Sequence, residues 1–257
     1  MKCTIIGSSC AGMGSLKMTE TNCPGMRRRP EPVSRAVLGL LAALVVVAGA
    51  TAVAAMLPAM AMADENTVAR VGQRAPDFSL EDTDGHTHQL SGYLEQGKTV
   101  VLEWFNPDCP FVKRHHEGEN TMKQLHAKYH QQDVVWLAVN SGAPGKQGHG
   151  KQRNAEARKQ YGIGYPVLLD DSGRVGRLYD AKTTPHMFII KSDGTLVYAG
   201  GIDDDPRGSK AQRAEHLANA LATHLEGGEI SPAQTQPYGC SVKYGGAVSK
   251  TSSKVSM

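Results

Sequence analysis

One cysteine stands where its thiol could be activated for chemistry. Cys109 lies in the run EWFNPDCPFVKRHH, after a strand-like apolar stretch at residues 99–105 and before Pro110, which suits the first position of a helix. At a helix N-terminus, free N–H groups and the helix dipole stabilise a thiolate, the nucleophilic form of cysteine. Lys113 and Arg114 add positive charge one turn later and are candidate thiolate-stabilising residues. The spacing predicts a reactive Cys109; the alternative is a buried, inert cysteine at a strand end.

Two histidines that follow the cysteine raise the question of a metal site. Thiolate and imidazole both suit copper, so Cys109 with His115 or His116 could supply two or three ligands. However, His115 lies nearly two helical turns beyond the cysteine, and adjacent histidines on a helix point about 100° apart. We therefore predict no metal here, with His115 and His116 as weak candidates.

The N-terminal part of the chain has the pattern of a secretory leader. Four arginines precede an almost uncharged apolar run at residues 36–55, and Ala-Met-Ala at 61–63 matches a small-x-small cleavage site. We predict a cleaved signal peptide over 26–63 and a periplasmic or secreted protein. The alternative is a membrane anchor at 36–55, since about 20 apolar residues span a bilayer. Residues 1–25 resemble neither signal nor domain, which favours translation from Met26.

Removal of this leader changes the charge and the cysteine content. It takes away six of the 28 basic and two of the 25 acidic residues, which leaves a net charge of −1 and no indication of nucleic acid binding. Two of the five cysteines remain, Cys109 and Cys240, in a compartment where disulfides persist. Two cysteines are too few for a disulfide-stapled scaffold, so the domain depends on a hydrophobic core.

Strand and helix patterns alternate along the rest of the chain. In chain order they are a strand at 99–105, a helix at 111–131 that is interrupted around Glu117-Gly118, a strand at 134–139, a short helix at 154–161, a strand at 165–169, a hairpin around Asp193-Gly194 and an amphipathic helix at 211–225. This order predicts a single α/β domain over residues 64–228. The polar residues 229–257 are predicted to form a flexible tail that carries Cys240.

Three blocks make the chain similar to the redoxin branch of the thioredoxin superfamily, which includes the alkyl hydroperoxide reductase/thiol-specific antioxidant proteins. They are VGQRAPDFSLEDTDG (71–85), VVLEWFNPDCPFVK (100–113) and AKTTPHMFIIKSDGTLVYAGGID (181–203). The resemblance covers about residues 71–226 and implies a thioredoxin-like fold, a single domain with a central mixed sheet flanked by helices. It also implies a cis-proline opposite the cysteine, at Pro185, and a substrate-binding role for the backbone of Thr184.

The chain departs from the proteins it resembles around the cysteine. Val112 stands where a thioredoxin C-x-x-C motif has its second cysteine, and Leu102 and Asn106 replace the proline and threonine of common peroxiredoxins. We keep Asn106 as a candidate substrate-binding residue. An oxidised Cys109 then needs another thiol. Cys240 is the natural candidate, because the twelve residues after the domain reach up to about 40 Å; the alternative is a lone tail thiol that dimerises or is glutathionylated.

Together these residues predict an enzyme, a thiol–disulfide or thiol–peroxide oxidoreductase. Cys109 would attack a disulfide or peroxide, and Cys240 would resolve the mixed disulfide or sulfenic acid. No cofactor is expected, because sulfur carries the electrons. The expected partners are a thiol/disulfide protein or peroxide and an external thiol reductant, with no nucleic acid and with the oligomeric state left open. The competing class is a periplasmic copper-binding or redox-silent binding module on the same scaffold.

Overall fold

An interior strand of the main sheet, β3 (Thr99–Trp104), leads into the cysteine loop, and every one of its residues is buried. A computed structural model describes residues 67–246 of the chain. There, β3 pairs in parallel with β4, Val134–Asn140, and antiparallel with β7, His186–Ile190. Runs of Val, Leu and Ile build these strands because both faces of the sheet are covered, so no polar alternation is needed.

Within residues 67–246, seven strands form the main sheet. The other four are β1 (Ser79–Asp82), β2 (Thr87–Gln89), β5 (Val167–Leu169) and β8 (Leu196–Gly200). Their order across the sheet is β2-β1-β5-β4-β3-β7-β8, with the β3–β4 and β4–β5 pairs parallel and the other pairs antiparallel. The predicted α/β class with a central mixed sheet is confirmed.

Six α-helices lie within the described residues. They are α1 (Leu90–Glu95), α2 (Pro110–Lys113), α3 (Thr121–Tyr129), α4 (Lys151–Gln160), α5 (Arg174–Leu178) and α6 (His216–Leu225). The interruption predicted around Glu117-Gly118 in the helix at 111–131 is confirmed: a π-helical turn at Arg114–Gly118 separates α2 from α3. Pro110 opens α2 with Cys109 as its N-cap, as the spacing predicts.

The two faces of the sheet carry separate apolar clusters. One contains Val101 and Phe105 of the β3 segment together with Cys109, and the other contains Leu102 and Trp104. Because successive strand residues point to opposite faces, Glu103 shares the face of Cys109.

The chain beyond α6 packs onto the domain up to residue 246, whereas the sequence predicted a flexible tail from residue 229. β9, Cys240–Ser241, pairs antiparallel with β6, Thr183–Thr184, in a separate two-stranded sheet. The Tyr244 hydroxyl donates a hydrogen bond to the Ala181 carbonyl at 2.8 Å. These contacts come from main-chain pairing and from isolated hydroxyl side chains in a polar segment, so no hydrophobic periodicity predicts them.

The N-terminal predictions fall outside the described residues. They concern the extension at 1–25, the signal peptide at 26–63 and the alternative anchor at 36–55, and the far end of the tail, 247–257, also lies outside. Across residues 67–246, none of the helices combines the length and the apolar character that crossing a membrane requires.

Two buried histidines make the stability of the domain sensitive to acid. His186 opens β7, with its ring 4.4 Å from that of Phe188, and His115 lies in the π-helical turn. The pKa of each histidine is lowered to about 4, mainly by burial; for His115 the Arg114 charge contributes to the lowering, and Asp203 opposes it. Both rings therefore stay neutral in the folded protein at a pH where an unfolded chain binds protons.

We predict that the free energy of unfolding falls as the pH drops from about 6.5 to about 4. The folded-state pKa values are depressed, so the unfolded chain takes up protons first; stability is complete above the unfolded pKa and is lost toward the folded one. The loss is at most about 3 kcal/mol per histidine, since one pKa unit is about 1.4 kcal/mol. Denaturant unfolding at a series of pH values measures it.

The variant His186→Gln removes one of these titrations and should reduce the acid-induced loss by about half. The control is Met187→Leu, which changes a buried neighbour in β7 without removing a titratable group and should shift the stability by the same amount at every pH. A wild-type profile in His186→Gln would show that this ring is not a source of the acid sensitivity.

Candidate active site

A tight loop between β3 and α2 holds Cys109. The Asn106 side-chain oxygen accepts the Asp108 N–H at 2.9 Å, and the Asn106 carbonyl accepts the Cys109 N–H at 3.1 Å. The Asn106 amide group donates to the Gln147 carbonyl at 3.3 Å. The Asn106 side chain thus fixes this loop, and its role in binding substrate stays a prediction.

Cys109 faces the segment that precedes β7. Its side chain is fully buried, and the thiol donates a hydrogen bond to the Thr184 carbonyl oxygen at 3.0 Å. The Thr184–Pro185 peptide bond is cis, as the resemblance implies. The structure therefore brings Thr184 and Pro185 to the cysteine, and the Thr184 carbonyl is the group in direct contact with the sulfur.

The tail brings Cys240 to the same place. In the β6–β9 pairing Cys240 lies opposite Thr184, whose hydroxyl donates to the Cys240 carbonyl at 3.4 Å. Cys240 packs against the apolar cluster that contains Cys109, and both thiols are free. Burial raises the pKa of Cys240 to about 11, with the hydrogen bond and charge of Cys109 as further causes. In this arrangement the Cys240 thiol is protonated at neutral pH and cannot act first.

Of the two cations predicted to stabilise the thiolate, Arg114 is engaged with other partners. The Arg114 guanidinium is 2.7 Å from the Tyr238 hydroxyl oxygen, 3.3 Å from the Glu119 carboxylate and 3.6 Å from that of Asp203. Lys113 ends α2 and is linked to Cys109 through its backbone N–H, which donates to the cysteine carbonyl at 3.0 Å. Arg114 therefore contacts Tyr238 of the tail, where the carboxylates of Glu119 and Asp203 attract its positive charge.

The two adjacent histidines point to different partners. The Nε2 atom of His115 is 2.9 Å from the Tyr238 oxygen, whereas that of His116 is 2.8 Å from Oε1 of Glu103. Both rings are buried. This divergence, expected from their positions on a helical turn, prevents them from binding one ion together.

Potential metal ligands come together at two places among residues 67–246. The first group is Asp82, Asp84 and His86, and the second is His115, Glu119 and Asp203; neither includes Cys109. Arg114 and Arg213 form ion pairs with the carboxylates of the second group. Two guanidinium charges at this distance oppose a cation. The structure therefore does not favour the copper-binding alternative.

Sequence reasoning missed Glu103, a buried carboxyl group on the face of the sheet that carries Cys109. One of its oxygens accepts the Tyr165 hydroxyl at 2.9 Å, and the other contacts His116. The His116 ring stacks on that of Tyr161 with the centroids 6.0 Å apart. A single charge within an otherwise apolar strand was the available signal, since a buried carboxyl group requires partners.

The sequence also gave no role to Tyr238, two residues before Cys240. Its hydroxyl donates to Asp203 and is within hydrogen-bonding distance of Arg114 and His115. Burial, the hydrogen bond to Asp203 and its charge raise the pKa of Tyr238 well above its usual value, which keeps the hydroxyl neutral. The Pro-Tyr-Gly-Cys run was visible in the sequence, but its partners lie far away in the chain.

Comparison with known proteins assigns the family. Residues 71–199 match the model of the AhpC/TSA family. The chain belongs to this family. Over 132 residues it is 33% identical to the thiol-disulfide oxidoreductase ResA of Geobacillus kaustophilus (strain HTA426), an alignment of 51% of this chain and 70% of that relative. The predicted family is thus confirmed, and the chain is a thiol-dependent redox enzyme.

Solved structures similar to the chain agree with this family. A hypothetical protein SMc02350 from Sinorhizobium meliloti 1021 has 28% identity and a TM-score of 0.61, over 68% of this chain and 95% of its own. An uncharacterized conserved protein from Geobacillus kaustophilus has the same identity and TM-score, over 68% and 93%. The predicted thioredoxin-like fold is confirmed. The AhpC/TSA match includes Cys109, Thr184 and Pro185 but ends before the segment with Cys240.

We predict that Cys240 reacts slowly with iodoacetamide at neutral pH. Because its pKa is raised to about 11, its rate in the folded protein should rise about tenfold per pH unit up to pH 10 or so. In Cys109→Ser the neighbouring thiol no longer raises this pKa, so the curve should shift to lower pH. Mass spectrometry of the Cys240 peptide measures the rate, with Ser241→Ala as control. A plateau near the pH of an ordinary thiol in wild type contradicts the assignment.

A second prediction concerns the buried Glu103 carboxyl group. Tyr165→Phe removes one of its hydrogen bonds and should lower the free energy of unfolding by about 1–3 kcal/mol. Tyr129→Phe is the control, because it removes a hydroxyl from the same apolar cluster without touching Glu103. Denaturant unfolding of the two variants gives the comparison, and equal losses would mean that the bond to Glu103 contributes nothing.

Proposed function

We propose that the protein is a thiol–disulfide oxidoreductase in which Cys109 and Cys240 alternate between two thiols and an intramolecular disulfide. One observation carries this proposal: the β6–β9 register sets Cys240 opposite Thr184, and the carbonyl of Thr184 binds the Cys109 thiol. The two thiols are therefore neighbours although 131 positions separate them in the sequence. The relatives named thiol-disulfide oxidoreductases support the same activity.

Thiols and disulfides alone account for every bond and electron in the proposed reaction. Cys109 loses its proton to solvent, and the thiolate attacks a partner disulfide, so that a Cys109–partner mixed disulfide forms and one partner thiolate leaves. Cys240, after losing its proton, attacks the Cys109 sulfur; the Cys109–Cys240 disulfide forms and the second partner thiolate leaves. Two electrons pass from the enzyme to the partner. An external dithiol resets the enzyme, and the relative reduction potentials determine the net direction.

The surroundings of Cys240 support this order of attack. Part of the cause that raises its pKa is the adjacent Cys109 thiol. That contribution disappears once the Cys109 sulfur is part of a mixed disulfide, so the pKa of Cys240 falls when its thiolate is needed. Cys109 therefore attacks first and Cys240 second.

Disulfide rather than peroxide chemistry is favoured by the residues around Cys109. Leu102 is buried in the cluster on the opposite face of the sheet, and the Asn106 side chain is committed to its loop. Neither residue offers a peroxide a hydroxyl donor near the sulfur. A peroxide assay nevertheless belongs in the test, because the redoxin branch that the chain resembles includes thiol-specific antioxidant proteins.

The leader pattern supports action outside the cytoplasm. The apolar run at 36–55 and the small-x-small site at 61–63 match a signal peptide, and the two remaining cysteines suit an oxidising compartment. Fractionation of cells that produce the full chain, with N-terminal sequencing of the product, tests this. A protein that starts at residue 1 or 26 in the cytoplasmic fraction contradicts it.

We predict that mild oxidation joins Cys109 and Cys240 within one chain. Non-reducing peptide mapping should show the linked peptides, and Cys240→Ser should instead accumulate the mixed disulfide between Cys109 and a disulfide substrate. Cys109→Ser should abolish turnover of both disulfide and peroxide, whereas Ser241→Ala should retain the wild-type disulfide activity. If oxidation gives only Cys109 sulfinic acid or glutathione adducts, Cys240 is not the resolving residue and an outside thiol completes the cycle.

A further inference from the structure

The tail covers the sulfur that must react. Cys109 has no exposed surface, and Cys240 packs against its cluster. The Tyr238 ring meets the ring of Phe111, the second residue of α2, edge to face with the centroids 5.9 Å apart. A partner disulfide can approach Cys109 from this side only after the tail has moved.

The tail is seated by backbone pairing that another chain could reproduce. The Val242 N–H donates to the Lys182 carbonyl at 3.1 Å, next to the pairing of Cys240 with Thr184. Gly239, at φ 142°, lies so close to Thr184 that a β-carbon there would overlap the Thr184 carbonyl oxygen. Main-chain pairing of this kind depends little on side chains, so an extended segment with a cysteine at the right position can form it.

One side chain ties this segment to the body of the domain beside Cys240. The Tyr238 hydroxyl is bound by the buried Asp203 and by Arg114, with His115 at 2.9 Å. Arg114 also lies over the Tyr238 ring, 5.6 Å from its centroid. Hydrogen bonds to charged groups are the strong ones among protein hydrogen bonds, so this contact is a substantial part of what holds the tail.

We propose that residues 233–245, here called the tail segment, occupy the edge of β6 at which an extended, disulfide-bearing segment of a partner protein binds. The tail segment and the partner segment therefore compete for the same edge, and Tyr238 is the positioning residue that decides which of them binds. The proposal rests on the proposed function. A tethered segment competes at an effective concentration of the order of mM. The rate at which a partner segment binds at β6 therefore depends on how strongly the contacts of Tyr238 hold the tail segment in place.

The competition also completes the reaction. The partner segment displaces the tail, its disulfide is attacked by Cys109, and one partner thiolate leaves. Return of the tail then brings Cys240 onto the mixed disulfide; the Cys109–Cys240 bond forms, the bond to the partner breaks, and the second partner thiolate leaves with the segment. The tail thus acts as a tethered substitute for the substrate, and its docking expels the product.

The binding experiment uses the full chain with Cys109→Ser, so that no thiol chemistry is required. The probe is a synthetic peptide of residues 233–245 that carries Cys240→Ser, labelled for fluorescence anisotropy. The peptide should bind, and its binding should increase the rate of Cys240 alkylation in a saturable way because it displaces the tail. Adding Tyr238→Phe to the chain should strengthen peptide binding about tenfold or more, because the tethered competitor is weakened.

Two further variants distinguish the specific effect of the Tyr238 contacts from a general loss of stability. Tyr93→Phe is the matched control, because its hydroxyl also bonds to a histidine, His88, on the helix α1 side of the domain. It should change neither peptide binding nor Cys240 alkylation. Gly239→Ala prevents the tail from seating on Thr184 without touching Tyr238, and should raise Cys240 alkylation at least as much as Tyr238→Phe.

Measurements of turnover then test whether the Tyr238 contacts control the activity. The substrate is a short extended peptide whose single cysteine is joined to glutathione, and the full chain with both thiols is the enzyme. Tyr238→Phe should speed formation of the first mixed disulfide about tenfold while slowing the release step by Cys240; a merely structural role would slow both.

The outcomes distinguish this proposal from the proposed function. Peptide binding that leaves Cys240 alkylation unchanged, or equal binding to the Tyr238→Phe and Tyr93→Phe chains, overturns the competition. A wild-type enzyme without disulfide turnover, in which the peptide still displaces the tail, overturns the proposed function and leaves the strand-edge site standing.

Discussion

The hydrogen bond from the Cys109 thiol to the Thr184 carbonyl is the interaction on which the site depends. It joins the loop after β3 to the segment before β7, and so sets the position of the sulfur relative to the central sheet. The same Thr184 pairs with Cys240. One short stretch of backbone therefore fixes both thiols, and any element that contacts it, whether tail or partner, is brought within reach of the reactive sulfur.

Polar groups buried beside this backbone give the site a single arrangement. Glu103 is bound by Tyr165 and His116, and Tyr238 joins Asp203, Arg114 and His115. Each such group would be costly to bury alone, so the network holds together as a unit or is lost as a unit. The first group lies on the face of the sheet that carries Cys109, and the second fastens the tail two residues before Cys240. Ordinary apolar packing would not specify both positions so closely.

Much of the fold followed from local patterns. The apolar β-branched runs of β3 and β4 marked a sheet covered on both faces, and Pro110 marked the helix start behind Cys109. These signals are local because strand and helix periods involve neighbouring residues. The tail was the main difference: residues predicted to be flexible pack on the domain through the β6–β9 main-chain pairing and through single hydroxyl and aromatic contacts, which have no period in the sequence.

The sequence by itself determined the α/β class and the family, and it marked Cys109 as the candidate reactive cysteine, because strand periods, a helix start and three blocks similar to the family are properties of adjacent residues. Only the tertiary structure decided what surrounds that cysteine. It turned Arg114 from the expected thiolate toward Tyr238, gave Asn106 to its own loop, and set Cys240 opposite Thr184. These are pairings between residues far apart in the chain, and their geometry follows from packing, which no local spacing encodes.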